Sequence, residues 1–417
     1  YPDLPKGYQI SQYLKPLCYE GYLDIKSNPP SREASEGSKR IRITRIHLEE
    51  DAGRLYHLPD KDYSLVDYNR AGVPLMELVT EPDFETGQEV RDFTSELQMI
   101  WQYLNISEAN MEKGEMRVEV NISLTGADGK WGTKVEIKNL NSIKFAADAV
   151  DYEIKRQTEL LKAGEKVVQE TRGWDESGKA TFSQRSKEEA HDYRYFPEPD
   201  LPPLEITDKQ IEEIRSHMSE LPRQRRDRFK RQYNLPDHDI ELFVIDKVLG
   251  DYYEHVVSEL LSFDKLRHLE RPAEQHNERL LKLASNYLIT ELRRMAGEVS
   301  AESSDTKITP EMFADFIVRV FHGQISSSGA QMLLKEMFQT GQSPEQIIKE
   351  KDLTQISNTD ELEFMVDKVI ANNSKAVEDY KKGKETSLKF LIGMTMRESK
   401  GKGNPQVIEQ IIKNRLQ

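Results

Sequence analysis

The sequence predicts an α+β protein in which a region of mixed or antiparallel sheets and helices precedes an all-helical domain and a small helical tail domain. Strand-type alternation and helical spacing intermix up to about Pro203, and strand signals nearly vanish from Thr207 onward. The 417 residues are too many for one hydrophobic core. Ser343-Pro344 resembles the start of a helix and indicates a further boundary. The predicted domains are 1–216, 217–343 and 344–417.

Composition excludes several classes of protein. Lys and Arg total 59 against 73 Asp and Glu, and the net charge of -14 argues against a non-specific coat for nucleic acid, although local basic patches stay possible. Cys18 is the single cysteine, which rules out disulfide frameworks and cysteine-based zinc sites and fits a reducing cytoplasm. No apolar run approaches the ~18 residues of a membrane span. The first residue is Tyr1, so we expect a fragment with site residues upstream.

The first elements follow from local patterns. Residues 1–38 are rich in Tyr, Pro and Gly, which predicts turns and an edge strand. Lys39–Glu50 predicts a strand whose apolar face changes between Ile43 and Ile46, as a β-bulge would cause. Thr86-Gly-Gln-Glu89 has the spacing of a capping box and predicts a helix as far as Leu104.

Alternation then predicts two further strands, at Met116–Leu124 and Lys134–Lys138, joined as a hairpin. A helix is predicted from Ser142 to Lys162, ended by Gly164. The later helices are predicted at Ile240–Leu261, Glu278–Ala296, Pro310–Phe321 and Glu361–Ile370.

Carboxylates are concentrated between Ile46 and Asp83. Glu50 and Glu77 lie beside apolar residues, where a charge is costly unless it is paired or bound to a metal. Because Mg²⁺ prefers oxygen ligands, the pattern is consistent with a magnesium site, and surface carboxylates at strand ends are the alternative. His47 is a possible ligand, but it alternates away from Glu50 and shares its face only if the strand bends.

Residues 173–180 nearly match a phosphate-binding P-loop. Ala180 replaces the Ser or Thr that would hold Mg²⁺, and no strand–loop–helix context surrounds the segment. We therefore interpret it as a charged hairpin loop.

Polar residues alternate along the two strands of the predicted hairpin: Arg117, Glu119 and Asn121, then Glu136, Lys138, Asn139 and Asn141. Basic side chains there would neutralise phosphate charge, and the amides would orient bound groups. The solvated face of an antiparallel sheet explains the pattern equally.

Two basic segments suit RNA phosphates. The first runs from Arg223 to Arg231 and includes Arg226 and Arg228. The second is a loop near the C-terminus that contains Lys400 and Lys402. Solvated helix faces are the simpler explanation of such charge runs.

Several motifs, in order, resemble those of the B subunits of the tRNA-dependent aspartyl/glutamyl amidotransferases. They are His47-Leu-Glu-Glu-Asp-Ala-Gly53, Asp67-x-Asn-Arg-x-Gly-x-Pro-Leu-x-Glu77, Glu81-Pro-Asp83, Arg117-x-Glu-x-Asn-Ile-Ser123, Lys138-Asn-Leu-Asn-Ser142, Asp192-Tyr-Arg-Tyr-Phe-Pro-Glu-Pro-Asp200 and the loop Gly401-Lys-Gly-Asn-Pro405. The likeness runs nearly end to end.

The resemblance implies a cradle-shaped kinase domain at residues 1–216 and tRNA binding by the helical and tail domains. It implies a bacterial-type cytoplasmic ligase that uses ATP and Mg²⁺ to phosphorylate the side-chain carboxylate of Glu-tRNA(Gln) or Asp-tRNA(Asn). Ammonia from a glutaminase subunit would then displace phosphate, and a small linker subunit would complete the heterotrimer. The sequence leaves open which tRNA is preferred and where the ATP base binds.

By resemblance, Glu50 and Glu77 are metal ligands, and His47 is their neighbour. The family's Glu-x-His pair has no counterpart here and would lie upstream of Tyr1. Lys6 corresponds to a lysine on the ammonia route, Arg117 and Glu119 are expected to act in catalysis, and Asn121, Lys138 and Asn139 to bind nucleotide. Two departures keep charge but change reach: Glu119 replaces a usual Asp, and Arg54 a usual Lys.

Two alternatives stay open. One is a non-catalytic tRNA-binding protein with a structural acidic cluster. The other is an ATP-grasp-like ligase that acts on free amino acids, which a requirement for aminoacyl-tRNA would exclude.

Overall fold

The computed structural model describes residues 10–26, 37–59, 61–126, 128–186, 199–265, 273–298, 307–353, 359–399 and 401–416. Lys6, Lys400 and most of the motif at 192–200 lie outside these ranges. The chain forms two compact units, Tyr1–Pro222 and Arg223–Gln417. The first mixes strands and helices and the second is helical over its described residues, so the α+β prediction is confirmed. The domain bounds predicted from sequence stay predictions.

The described residues of the first unit form three small sheets. Its strands are β1 (Cys18–Lys26), β2 (Ser38–Glu50), β3 (Arg54–His57), β4 (Ser64–Asp67), β5 (Pro74–Thr80), β6 (Val118–Ile122), β7 (Val135–Leu140), β8 (Glu170–Asp175) and β9 (Ala180–Ser186). The sheet orders are β1-β2-β5, β3-β4 and β6-β7-β8-β9. All neighbouring strands are antiparallel except β7 and β8, which are parallel.

Strand β2 contains the predicted bulge. Its pairing with β5 shifts between Ile43 and Arg45. Before the shift, Ile41 is fully buried in a core with Phe93 and Leu97. After the shift, Ile46 pairs with Leu78, which packs against that core, so Ile46 shares the core-facing side. The odd-numbered residues Arg45, His47 and Glu49 then point to the opposite face.

Two helices cover the first and third sheets: α1 (Gly87–Tyr103) and α2 (Ile143–Lys162). Thr86 and Glu89 form the predicted capping box at α1, and Ser142 caps α2. Helix α1 contributes Phe93 to the core on the first sheet and Val90 to the core under the third. One helix therefore links the packing of the two sheets.

The hairpin predictions are confirmed. Strands β6 and β7 pair across the expected turn, with an isolated bridge between Thr125 and Trp131. The segment that nearly matched a P-loop is the β8–β9 hairpin, with Asp175 opposite Ala180 at its end. Its rejection as a phosphate loop is consistent with this geometry.

From residue 208 onward, the elements in the described ranges are helices. They are α3 (Asp208–His217), α4 (Pro222–Tyr233), α5 (Asp237–Ile245), α6 (Lys247–Lys265), α7 (Ala273–Tyr287), a π-helical turn (Leu288–Leu292), α8 (Arg293–Glu298), α9 (Pro310–Phe321), α10 (Ser327–Thr340), α11 (Pro344–Lys351), α12 (Thr359–Asn372), α13 (Ser374–Lys381), α14 (Glu385–Glu398) and α15 (Pro405–Leu416). Among the helices that the structure describes, none combines the length and the apolar character needed to cross a bilayer.

The prediction of one helix over Ile240–Leu261 is wrong. Asp246 leaves the helical conformation, at φ -98° and ψ 87°, and separates α5 from α6. Its carboxylate accepts a hydrogen bond from the Leu249 backbone N–H at 3.0 Å. The side chain thus caps the start of the next helix, which compensates for the interrupted backbone hydrogen bonds.

Candidate metal and phosphate site

A buried histidine and two glutamates lie together on the outer face of the first sheet. His47 on β2 pairs directly with Glu77 on β5, and Glu49 follows His47 by two residues on the same face. His47 Nε2 lies 2.8 Å from Glu49 Oε1 and 3.5 Å from Glu77 Oε2. One potential ligand atom from each residue lies within 4.8 Å of the others. We call these three residues the carboxylate cluster.

The segment before β1 covers part of this cluster. Ser11 bridges to Glu49 in the backbone ladder, and its hydroxyl donates to Glu49 Oε1 at 3.3 Å. The Tyr13 ring packs edge-on against the His47 ring, with 5.9 Å between centroids. His47 is 0% exposed, whereas the Glu77 side chain is 52% exposed. The cluster therefore has a closed histidine side and an open carboxylate side.

Electrostatics at the cluster favour a cation. Burial and the neighbouring Glu49 raise the pKa of Glu77 above its ordinary value, and His47 and Arg45 only partly oppose this. His47 Nδ1 is buried and has no hydrogen-bond partner among the described residues. A divalent cation would relieve the repulsion between the two carboxylates. Their oxygens suit Mg²⁺, whereas an imidazole nitrogen suits borderline metals better, so the donor set fits a cation with the carboxylates as the main ligands.

The structure brings Glu49, rather than Glu50, to His47 and Glu77. Glu50 pairs with Pro74 and alternates to the other face of β2, and its backbone N–H donates to the Ile10 carbonyl at 3.2 Å. The ligand role predicted for Glu50 stays a prediction. Glu49 was not singled out from the sequence. The signal for it was its spacing, because it follows His47 by two residues and positions i and i+2 of a strand share a face.

The second group of predicted site residues lies on the exposed face of the β6–β7 hairpin. Lys138 Nζ is 3.1 Å from Glu119 Oε2 and 3.5 Å from Glu136 Oε1. Burial works to lower the pKa of Lys138, but these two carboxylates outweigh it and raise that pKa. Lys138 therefore keeps its positive charge, which Glu119 and Glu136 balance.

The neighbouring predicted residues are also exposed. Asn121 lies opposite Glu136, and Asn139 is exposed with a left-handed φ of 57°. Left-handed conformations are commoner for asparagine than for most residues, which explains the choice of residue at the end of β7. Among the described residues, no contact shows what either side chain would bind.

Asp51 links the first sheet to the start of β6. Its Oδ2 accepts from Arg70 Nε at 2.7 Å and lies 3.9 Å from Arg117 Nη2. Arg70 Nη1 also donates to the Gly114 carbonyl at 3.1 Å. The Arg117 guanidinium thus lies beside Asp51, which follows Glu49 by two residues in the chain. The Arg117 side chain itself is 63% exposed. Sequence reasoning did not identify Arg70, whose signal was its place in the Asp67–Glu77 motif.

The arginines predicted to bind RNA are engaged inside the second unit. Arg226 forms a two-bond pair with Glu241 at 2.8 and 2.9 Å. Arg228 pairs with Glu254, with one bond of 2.9 Å, and Arg225 joins the same carboxylate. Lys402 pairs with Asp352. These contacts give the basic residues a structural role, and their contact with RNA stays a prediction.

Comparison with known proteins identifies the family. The profile described as "GatB/GatE catalytic domain" matches residues 1–212, and that described as "GatB domain" matches residues 269–416. The chain is 46% identical over 420 residues to the B subunit of the aspartyl/glutamyl-tRNA(Asn/Gln) amidotransferase of Carboxydothermus hydrogenoformans. The proteins of the same name from Thermoanaerobacter sp. and Thermotoga maritima are 45% and 43% identical over 417 and 422 residues.

In each of these comparisons the alignment covers 100% of this chain and 82% of the relative. The matches confirm the resemblance drawn from the motifs. The chain belongs to the family of the B subunits of aspartyl/glutamyl-tRNA(Asn/Gln) amidotransferases.

Proposed function

We propose that this chain activates the side-chain carboxylate of Glu-tRNA(Gln), Asp-tRNA(Asn) or both by ATP-dependent phosphorylation, and that ammonia then displaces the phosphate. The products are Gln-tRNA(Gln) and Asn-tRNA(Asn). The observation that carries the proposal is the carboxylate cluster, where the pKa of Glu77 is raised beside Glu49 and His47. In this proposal the first region is a kinase domain of cradle shape.

The chemistry requires activation. A carboxylate is a poor acceptor for ammonia, because its leaving group would be oxide, whereas an acyl phosphate releases phosphate. Phosphoryl transfer depends chiefly on positioning and on neutralisation of charge. Glu49, Glu77 and His47 would hold Mg²⁺, with Glu50 as the competing ligand, and the ion would neutralise phosphate oxygens.

Other polar residues of the chain would orient the phosphates and line the ammonia route. Arg117, held beside Asp51, and Lys138, held between Glu119 and Glu136, would orient the phosphates by charge-assisted hydrogen bonds. Asn121 and Asn139 would add neutral donors at the same face. Lys6 would lie on the ammonia route.

The proposal includes partners, because no amidase-type nucleophile motif is recognisable in the sequence. A glutaminase subunit would supply ammonia, and a small linker subunit would join the two in a heterotrimer. The misacylated tRNA would contact the helical region and the tail. We propose a cytoplasmic location of bacterial type.

The carboxylate cluster can be tested in the assembled amidotransferase. We expect Glu77→Gln to lower the rate of ATP- and Mg²⁺-dependent transamidation roughly 100-fold, because one charged ligand is lost. Glu49→Gln and Glu50→Gln, measured in parallel, identify the second carboxylate. Glu176→Gln is the control, since Glu176 is exposed in the β8–β9 turn.

Binding of tRNA is measured alongside transamidation. Loss of transamidation with retained tRNA binding supports the proposal. Unchanged transamidation in every cluster variant would favour the non-catalytic tRNA-binding alternative.

A further inference from the structure

Three arginines lie along the outer face of β2: Arg40, Arg42 and Arg45. The first two precede the bulge and are neutralised by aspartates. Arg40 Nε donates to Asp24 Oδ1 at 2.8 Å, and Arg42 Nη2 donates to Asp83 Oδ1 at 2.6 Å. Each also makes a second guanidinium bond to the same carboxylate. Both are therefore structural cross-links between neighbouring segments.

Arg45 differs from the other two. It pairs with Val79, two residues along β5 from Glu77, and so lies on the face of the carboxylate cluster. In the described part of the chain, no carboxylate lies within ion-pair distance of its guanidinium, and Glu77 feels its charge from farther away. Its Nε is buried and has no hydrogen-bond partner among those residues.

Tyr13 holds the Arg45 side chain in place. The guanidinium carbon lies 4.2 Å from the centroid of the Tyr13 ring, and the same ring packs edge-on against His47. Such stacking holds the guanidinium against the ring but supplies no hydrogen-bond acceptor in the guanidinium plane. The guanidinium of Arg45 is thus oriented beside the cluster, and the described residues leave its buried Nε donor unused.

A planar guanidinium is suited to bind an oxyanion through two parallel hydrogen bonds, and its two terminal nitrogens can supply both where Nε is buried. A cation bound by the cluster would draw the same oxyanion, so the two positive groups would act on one ligand. The bulge is what brings Arg45 to this face, since it changes the alternation between Ile43 and Arg45.

We propose that Arg45 is the oxyanion-binding residue beside the carboxylate cluster and that Tyr13 is its positioning residue. The oxyanion is either a phosphate of the nucleotide or the side-chain carboxylate of the aminoacyl-tRNA. This inference rests on the proposed function, because it concerns the same site.

The test compares two arginines of one strand, each of which stacks on a tyrosine ring. Arg45→Met and Arg45→Lys are assayed in the assembled amidotransferase for kcat and for the KM values of ATP and aminoacyl-tRNA. Arg40→Met is the matched control, because Arg40 also stacks on a tyrosine, Tyr22, at 3.7 Å but is paired with Asp24. We expect Arg45→Met to lower kcat/KM about 100-fold, Arg45→Lys to recover part of it, and Arg40→Met to stay within about two-fold.

The kinetic constants distinguish the two sources of the oxyanion. A rise in the KM for ATP alone assigns a nucleotide phosphate, and a rise in the KM for aminoacyl-tRNA alone assigns the substrate carboxylate. Tyr13→Phe should keep the activity, because the ring is retained, whereas Tyr13→Leu should reproduce part of the Arg45→Lys defect.

Thermal melting of each variant shows whether the fold is kept. If Arg45→Met does not fold, Arg45→Lys still decides, since it keeps the charge and changes the geometry. Wild-type kinetics from both Arg45 variants, in an enzyme that still depends on Glu77, would overturn the inference and leave the proposed function standing. Transamidation by the wild-type enzyme that needs neither ATP nor Mg²⁺ would instead overturn the proposed function.

Discussion

Single residues in this chain act through partners distant in the sequence. Glu153 on α2 is 0% exposed and accepts two bonds from Arg156, both of 2.8 Å, and one of 2.5 Å from the Thr181 hydroxyl on β9. Burial works to raise the pKa of Glu153, but the bonds from Arg156, Thr181 and Gln157 outweigh it and hold that pKa below its ordinary value. The buried carboxylate therefore links α2 to the β8–β9 hairpin by hydrogen bonds.

Removing this charge should destabilise the fold. We expect Glu153→Gln to lower the free energy of unfolding by about 3 kcal/mol at neutral pH, because Arg156 loses its buried partner. Since the folded pKa is lowered, the stabilisation is present above the unfolded pKa near 4.5 and is lost as the pH falls through the folded value. Denaturant unfolding at several pH values checks this. An equally steep acid loss in wild type and variant would contradict it.

At the scale of elements, helix α1 approaches α2 at a glycine. A Cβ at Gly87 would lie 2.3 Å from the Ala147 carbonyl oxygen and 2.7 Å from an Asp151 carboxylate oxygen. The Gly87 N–H donates to Asp151 at 2.8 Å. The first turn of α1 thus rests directly on the α2 backbone, which places α1 between the first and third sheets.

We expect Gly87→Ala to destabilise the protein by roughly 1–3 kcal/mol, because the helices must separate to admit a methyl group. Gly393→Ala is the matched control. Gly393 lies in α14, and no other atom lies within 4 Å of where an added Cβ would be. Alanine there should therefore stabilise the protein by roughly 0.5–1 kcal/mol. Thermal melting of both variants measures the difference. A neutral or stabilising Gly87→Ala would show that the α1–α2 contact adjusts freely.

At the scale of the whole molecule, the chain is acidic, with a net charge of -14, and many of its basic side chains are paired internally. Arg228 bonds to Glu254, which also receives the Tyr233 hydroxyl at 3.0 Å. Burial, the larger cause, and this carboxylate together raise the pKa of Tyr233 to about 12. Arg225 and Arg228 therefore belong to a partly buried network, whereas Arg223, Lys230 and Arg231 of the same segment are exposed.

Arg228→Gln should for this reason affect stability more than RNA affinity. We expect a lower melting temperature, because Glu254 loses a partner, and an unchanged dependence of tRNA affinity on salt. A phosphate contact would instead reduce the slope of log affinity against log salt by about 1. Filter binding over a range of salt concentrations separates the two, and a reduced slope would support the predicted contact of Arg228 with RNA.

Local sequence patterns predict many of the elements correctly. The capping box at Thr86 and the caps at Ser142 and Ser343 depend on residues three positions apart, and the bulge in β2 follows from a change of alternation inside one strand. The family, too, is readable from ordered motifs. Each of these signals lies within a few residues of chain.

Contacts between distant segments decide the rest. Glu49 and His47 meet Glu77 because the β2–β5 register sets Glu77 opposite His47, and alternation alone does not specify that register. Among the described residues, the Arg40 guanidinium bonds to the Asp24 carboxylate, whereas the buried Arg45 Nε has no hydrogen-bond partner. Both arginines lie on one face of β2, but Asp24 comes from another segment. The helical spacing of the sequence likewise continues through Asp246. In the structure the chain leaves the helical conformation there, and the Asp246 carboxylate caps α6. Local periodicity determines the elements, whereas register and long-range pairing determine which side chains form the site.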